Sequence, residues 1–117
     1  YKVEEYGEEA LNQFNIYSDS IPFQRLTDWL PEDGGYLAGN LGPSQIDCRF
    51  FSQGNLLAII STLTNNRQSQ AILRLIEARW THLVGDMPMK LCFPALEEME
   101  WKTLTGCDPK NRAWSYH

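Results

Sequence analysis

The feature that most constrains this chain is a pair of adjoining helical patterns of opposite character. Leu56, Leu57, Ala58, Ile59, Ile60 and Leu63 form a run that is apolar on almost every helical face. A helix of that kind is expected to be buried, with neighbours on all sides. Thr64-Asn65-Asn66 breaks the pattern, and a second helix is predicted from about Arg67 to Val84. Its apolar residues Ile72, Leu75, Ile76, Trp80 and Leu83 recur at i, i+3, i+4, i+8 and i+11, which is one stripe of an amphipathic helix. Gln68, Arg74, Glu77, Arg79 and Thr81 fill most of the other face, and Gly85 supplies the stop. A buried helix joined to an amphipathic one by a short turn is an αα-hairpin, the unit from which α/α toroids are built.

The flanks carry weaker signals. A short helix is expected near Glu4–Phe14, weakened by Gly7. Pro22 pushes Ile21 into an extended conformation, and Phe23–Leu30 reads as one or two helical turns stopped by Pro31. Pro31-Glu-Asp-Gly-Gly35 is a turn. Tyr36–Leu41 and Asp47–Phe51 are short, aromatic segments bounded by turn residues, and are predicted to pair as a small β-hairpin. Beyond Gly85 the pattern fades: Met87–Pro94 is apolar but punctuated by prolines, a short helix is at best marginal over 95–104, and 105–117 reads as loop. Long loops of this kind are often functional.

At 117 residues the chain is one small domain or a piece of a larger one. An apolar fraction of 43% with 21% charged residues is that of a globular chain. Ten basic against fifteen acidic residues give a net charge of −5, which argues against non-specific binding to nucleic acid or to an anionic membrane. No apolar run reaches the ~18–20 residues a membrane span requires. Three cysteines (Cys48, Cys92, Cys107) make neither an even disulfide framework nor a Cys-x-x-Cys pair, so a reducing compartment without structural zinc is expected. The opening Tyr-Lys-Val-Glu-Glu is not a signal peptide and lacks an initiator Met, as for a chain that starts within a longer protein.

Nucleotide and nucleophile motifs are missing: the glycines at 35, 39 and 42 do not spell GxGxxG, and there is no GxSxG. His82 and Asp86 have the spacing of two ligands on one helix face but no third partner, so neither a metal nor another cofactor is expected. Asp47 and Arg49, at i and i+2 on a strand, project to one face beside Phe50 and Phe51. They read either as a surface ion pair or as polar groups of a half-buried pocket. Glu97, Glu98 and Glu100 crowd beside Trp101, as a solvated acidic turn or as a carboxylate facing a cleft. The run from Asp108 to His117 holds Lys110, Asn111, Trp114 and Tyr116, and is dense in hydrogen-bonding groups and flat rings. Hydroxyl-rich ligands such as sugars need both, and small-ligand sites combine apolar walls with a few fixed polar groups. A structured loop held by Trp114 is the alternative.

Several of these stretches resemble the neutral/alkaline invertases of plants and cyanobacteria. They are Leu30-Pro-Glu-Asp-Gly-Gly-Tyr36, Gly39-Asn-Leu41, Asp47-Cys-Arg-Phe-Phe51 with Gly54-Asn-Leu56, and Leu75-Ile-Glu-Ala-Arg-Trp80. The match continues through Leu83–Lys90 and Cys92–Leu96, and is strongest in Thr105-Gly-Cys-Asp-Pro-Lys-Asn111 with Trp114-Ser-Tyr-His117. Cys48 departs from the pattern, standing where the family usually carries an aromatic. The resemblance implies a cytosolic-type, hence cytoplasmic, glycoside hydrolase that needs no metal and splits sucrose into glucose and fructose, and a mainly α fold, the (α/α)6 barrel.

It also implies an inverting mechanism, with an Asp as general acid and a Glu as general base roughly 6.5–9.5 Å apart. In the family those two carboxylates lie upstream and downstream of the motifs found here. Residues 1–117 are therefore expected to be an internal slice of a catalytic domain, inactive alone. The slice would contribute sugar contacts from Asp47, Arg49, Glu97, Trp101, Asp108, Lys110, Asn111, Trp114, Tyr116 and His117. Its partners would be sucrose or its monosaccharide products, with the rest of the barrel or a second copy covering the apolar helix. A non-catalytic remnant that binds sugar weakly or serves as an interaction piece is the rival reading.

Overall fold

The computed structural model describes residues 3–16, 21–43, 45–85 and 89–95. These are mainly helical, with two separate two-stranded antiparallel sheets. Helix α1 (Val3–Phe14) is two helical pieces joined at Gly7, whose φ of 72° and ψ of 159° leave the helical region. A positive φ of this kind is open to glycine at little cost, so the residue that weakens the helix in sequence is where it breaks. Helix α2 (Phe23–Trp29) starts after an extended Pro22 that offers no side-chain cap. Asn12 of α1 supplies the acceptor instead, its Oδ1 taking the Phe23 N–H at 2.6 Å. Leu30, held extended before Pro31, ends the helix where the sequence predicts.

The turn that follows closes with the Gly34 N–H on the Pro31 carbonyl at 2.9 Å. A Cβ on Gly34 would stand 2.3 Å from Pro31 Cγ, so only glycine fits this turn. The predicted hairpin forms, shorter and in a different pairing. β1 (Gly39–Gly42) lies against β2 (Gln45–Asp47), with Gly39 opposite Asp47 and an irregularity between Asn40 and Gly42. Phe50 and Phe51 do not take part in it. They form β3 (Phe50–Phe51), which pairs with β4 (Cys92–Phe93) in a region where the proline-punctuated sequence suggests no strand. The chain changes partner because it turns at Cys48 and Arg49, where Asp47 Oδ1 accepts the Arg49 N–H at 3.0 Å.

Helix α3 (Ser52–Ile60) and helix α4 (Asn66–Ala78) are the two members of the expected αα-hairpin. Leu56 and Ile59 of α3 pack on the cluster that contains Ile72, Leu75 and Ile76 of α4. The expectation that α3 is buried on every face is not met. Its buried positions are Ser52, Asn55 and Ala58, while Leu57 is half exposed and Ile60 is 76% exposed. Leu63, just past its end, is 79% exposed. Only one side of α3 has a neighbour among the described residues.

The second predicted helix is also divided. α4 ends at Ala78, Arg79 adopts φ −113° and ψ 23°, and a single turn, α5 (Trp80–Leu83), follows. Arg79 Nε donates to the Trp29 carbonyl at 2.6 Å, so the break coincides with a tie to the end of α2. It turns Leu83 fully inward and leaves Trp80 outside, 55% exposed, although both lie on the sequence stripe.

Two apolar clusters result. One gathers Trp29, Phe50, Ile72, Leu75, Ile76 and Leu83; the other gathers Leu11, Ile21, Leu26, Ile46 and Cys48. The segment 46–50 is the seam between them, with Ile46 and Cys48 in one cluster and Phe50 in the other. Asp47 and Arg49 are therefore flanked in sequence by residues of both cores.

Candidate functional site

Of the residues singled out as sugar contacts, Asp47 and Arg49 lie in the described part of the chain. Glu97, Trp101, Asp108, Lys110, Asn111, Trp114, Tyr116 and His117 lie outside it, as do Glu98, Glu100, Asp86 and Cys107. Asp47 is the last residue of β2 and Arg49 the second residue of the link to β3. The sequence suggests a half-buried setting; the structure buries both, Asp47 at 5% exposure and Arg49 at 1%. Taking charged groups out of water is costly unless the surroundings satisfy them, so two such residues at adjacent alternate positions are not a surface ion pair.

The surroundings of the pair are built from α3 and the segment before β1. Tyr36 donates its phenol hydrogen to the Cys48 carbonyl. Its ring meets Phe50 edge-on at 5.7 Å. Asn55 is buried in the first part of α3, and its side chain makes three hydrogen bonds. Oδ1 accepts the Leu37 N–H at 2.7 Å, while Nδ2 donates to the carbonyls of Leu37 at 3.1 Å and Phe51 at 2.8 Å. Neither Tyr36 nor Asn55 is singled out by the sequence reading. The available signal for Asn55 was an amide within an otherwise apolar helix, since a buried polar group is the informative exception to burial of apolar residues.

Electrostatics make this corner a place for protons rather than thiolates. Burial pushes the Cys48 thiol up to about 11, and the Asp47 carboxylate beside it adds to the shift. Tyr36 is raised by burial first, and then by Cys48 and Asp47. Both groups are neutral hydrogen-bond formers at physiological pH. Two clefts lined by described residues lie away from this corner. One of about 450 Å³ runs between the Glu32–Gly34 turn and Asn66, Arg67, Gln70 and Arg74; another of about 420 Å³ is lined by Glu8, Glu9 and Asn12.

His82, weighed as a metal ligand, has a structural partner. Its Nδ1 accepts the Trp29 indole N–H at 2.8 Å, and its ring stacks on Phe93 at 5.8 Å. Trp29 stacks on the other ring neighbour, Phe93, at 4.5 Å, so α2, α5 and β4 meet in one aromatic group. Among the described residues no three His, Cys, Asp or Glu side chains converge on a cation site. No described helix is long and apolar enough to cross a membrane.

All of residues 1–117 match the family described as alkaline and neutral invertase. The chain belongs to that family. The chain is 58% identical over 117 residues to "Neutral/alkaline invertase 1, mitochondrial" of Oryza sativa subsp. japonica, covering 100% of this chain and 18% of that protein. It is 56% identical over 117 residues to "Alkaline/neutral invertase E, chloroplastic" of Arabidopsis thaliana, with 100% and 19% covered. It is 52% identical over 117 residues to "Cytosolic invertase 1" of Oryza sativa subsp. japonica, with 100% and 21% covered. The chain thus spans about a fifth of the length of these relatives. Their names divide among mitochondrion, chloroplast and cytosol, so membership of the family does not fix a compartment.

Proposed function

We propose that residues 1–117 form a slice of the (α/α)6 barrel of a sucrose-hydrolysing, inverting glycosidase, with the general acid and general base supplied by chain outside this stretch. The observation that carries the reading is the whole-chain match to the invertase family, at 58% identity to one rice member. The αα-hairpin of α3 and α4 is the kind of unit such a barrel repeats. In the inverting reaction the acid protonates the glycosidic oxygen while the base activates a water on the opposite face of the sugar. Neither step is assigned to a residue of this chain.

Its part is to hold the sugar. Asp47 and Arg49 are two buried charged groups on either side of Cys48, whose carbonyl takes the Tyr36 phenol, and a small-ligand site needs a few fixed polar groups among apolar side chains. Their burial favours this reading over solubility or surface pairing, because a protein gains little stability from charges placed so deep. Glu97, Trp101 and the residues from Asp108 to His117 complete the pocket in this proposal. The cytoplasm, whose reducing conditions suit unpaired thiols, is the proposed compartment.

Two experiments test it. The purified 117-residue chain should release no glucose from sucrose at neutral pH above a blank without protein; release would place the acid and base inside residues 1–117. A chimera with residues 1–117 in place of the matching stretch of the rice mitochondrial invertase should hydrolyse sucrose. In that chimera Asp47→Ala should lower kcat/KM by about 10- to 10²-fold, as loss of a charged hydrogen bond to substrate does. An unchanged kcat/KM would remove Asp47 from the pocket.

A further inference from the structure

The peptide unit between Cys48 and Arg49 is held at both ends. Its carbonyl accepts the Tyr36 phenol, and its N–H donates to Asp47 Oδ1 at 3.0 Å. The phenol thus acts on the carboxylate through a single amide plane. Donation to the carbonyl polarises the amide and strengthens the N–H as a donor, the cooperativity expected of a hydrogen-bond chain in a buried setting. Tyr36 is in turn fixed from behind. Asn55 engages both backbone polar groups of the next residue, Leu37, as a neighbouring strand would, and anchors that grip on the Phe51 carbonyl.

We propose that Tyr36 and Asn55 are positioning residues for the Asp47–Arg49 pair: Asn55 sets the segment that carries Tyr36, and Tyr36 sets the Cys48–Arg49 peptide that aims the Asp47 carboxylate. The functional half of this inference rests on the reading of Asp47 and Arg49 as sugar contacts; the structural half does not. The side-chain amide of Asn55 is taken up by backbone groups of Leu37 and Phe51. Its influence on a sugar therefore passes through Leu37 and Tyr36. Tyr36 keeps its packing on Phe50 when only the hydroxyl is removed, so Tyr36→Phe is the mild variant and Asn55→Ala the severe one.

The first readout is independent of activity. In the 117-residue chain, Tyr36→Phe should speed hydrogen exchange of the Arg49 amide about tenfold, while the amides of Ile72 and Leu75 in α4 keep their rates. Exchange at Arg49 that does not change overturns the strut. A speeding shared by Ile72 and Leu75 overturns it too, since it marks general loosening. The second readout uses the chimera. Tyr36→Phe should raise KM for sucrose about three- to tenfold with kcat within about twofold, the pattern of lost ground-state positioning. If Asp47→Ala changes the kinetics and Tyr36→Phe does not, positioning is wrong and the sugar reading stands. If Arg49 exchange rises but neither variant alters the kinetics, the strut stands and the sugar reading of Asp47 falls.

Discussion

Cys48 places a thiol within reach of a carboxylate in the segment that joins two cores. Burial and the neighbouring Asp47 hold its proton up to about 11, against an ordinary value of 9.0. The folded chain therefore binds that proton more tightly than the unfolded chain does. The associated stability is fully present below about pH 9 and is lost as pH rises through about 11. Tyr36, raised in the same direction, adds to the loss at the upper end. The melting temperature should fall between pH 9 and 11, and Cys48→Ala should flatten the first part of that fall. A variant with the same slope as the parent would show that Cys48 is not the group responsible. Asp47 and Arg49 were legible in the sequence because an i, i+2 charged pair beside two phenylalanines is unusual. Their depth was not legible, because it depends on Tyr36 and on α3, which approach from elsewhere in the chain. Cys48 is taken into the cluster of Leu11, Ile21, Leu26 and Ile46.

The helices were legible as elements where local signals decide them. Pro31 stops α2, Gly7 breaks α1, and Asn65 opens α4. The last of these is a full capping box: Asn65 Oδ1 accepts the Gln68 N–H at 2.9 Å, and Gln68 Oε1 accepts the Asn65 N–H at 3.0 Å. Two of the donors that a helix start leaves open are satisfied reciprocally. Asn65→Ala should cost about 1 kcal/mol in urea unfolding. A cost near zero would mean that α4 is held by Ile72, Leu75 and Ile76 alone. What the sequence could not provide was pairing across distance. β3 and β4 are two residues each and are joined across some forty positions, so no alternation announces them. The division of α4 from α5 was equally hidden, because the apolar stripe runs through Arg79 unbroken and the tie to Trp29 is tertiary.

For the molecule as a whole, α3 is the element whose sequence and surroundings disagree. It carries the apolar composition of an interior helix, yet Ile60 and neighbouring Leu63 stand more than three-quarters exposed, with Leu57 and Trp80 about half exposed. Covering side chains of this size is worth ~1.5–3 kcal/mol each, and a cluster of them favours association. Among the described residues nothing covers this face, and the chain corresponds to 18% of the length of the rice mitochondrial relative. The purified chain should therefore self-associate, seen as a concentration-dependent rise in sedimentation coefficient. Replacing Ile60 and Leu63 with Glu should return it to monomer while α4 stays folded, since neither residue belongs to the buried cluster. The same double substitution in the chimera should do the opposite and lower the melting temperature, because there it would bury two carboxylates. Those two results together separate a face made for the rest of a barrel from a face that is merely greasy. A parent chain that stays monomeric at every concentration, or a chimera indifferent to the two glutamates, would show that α3 does not depend on cover from outside residues 1–117.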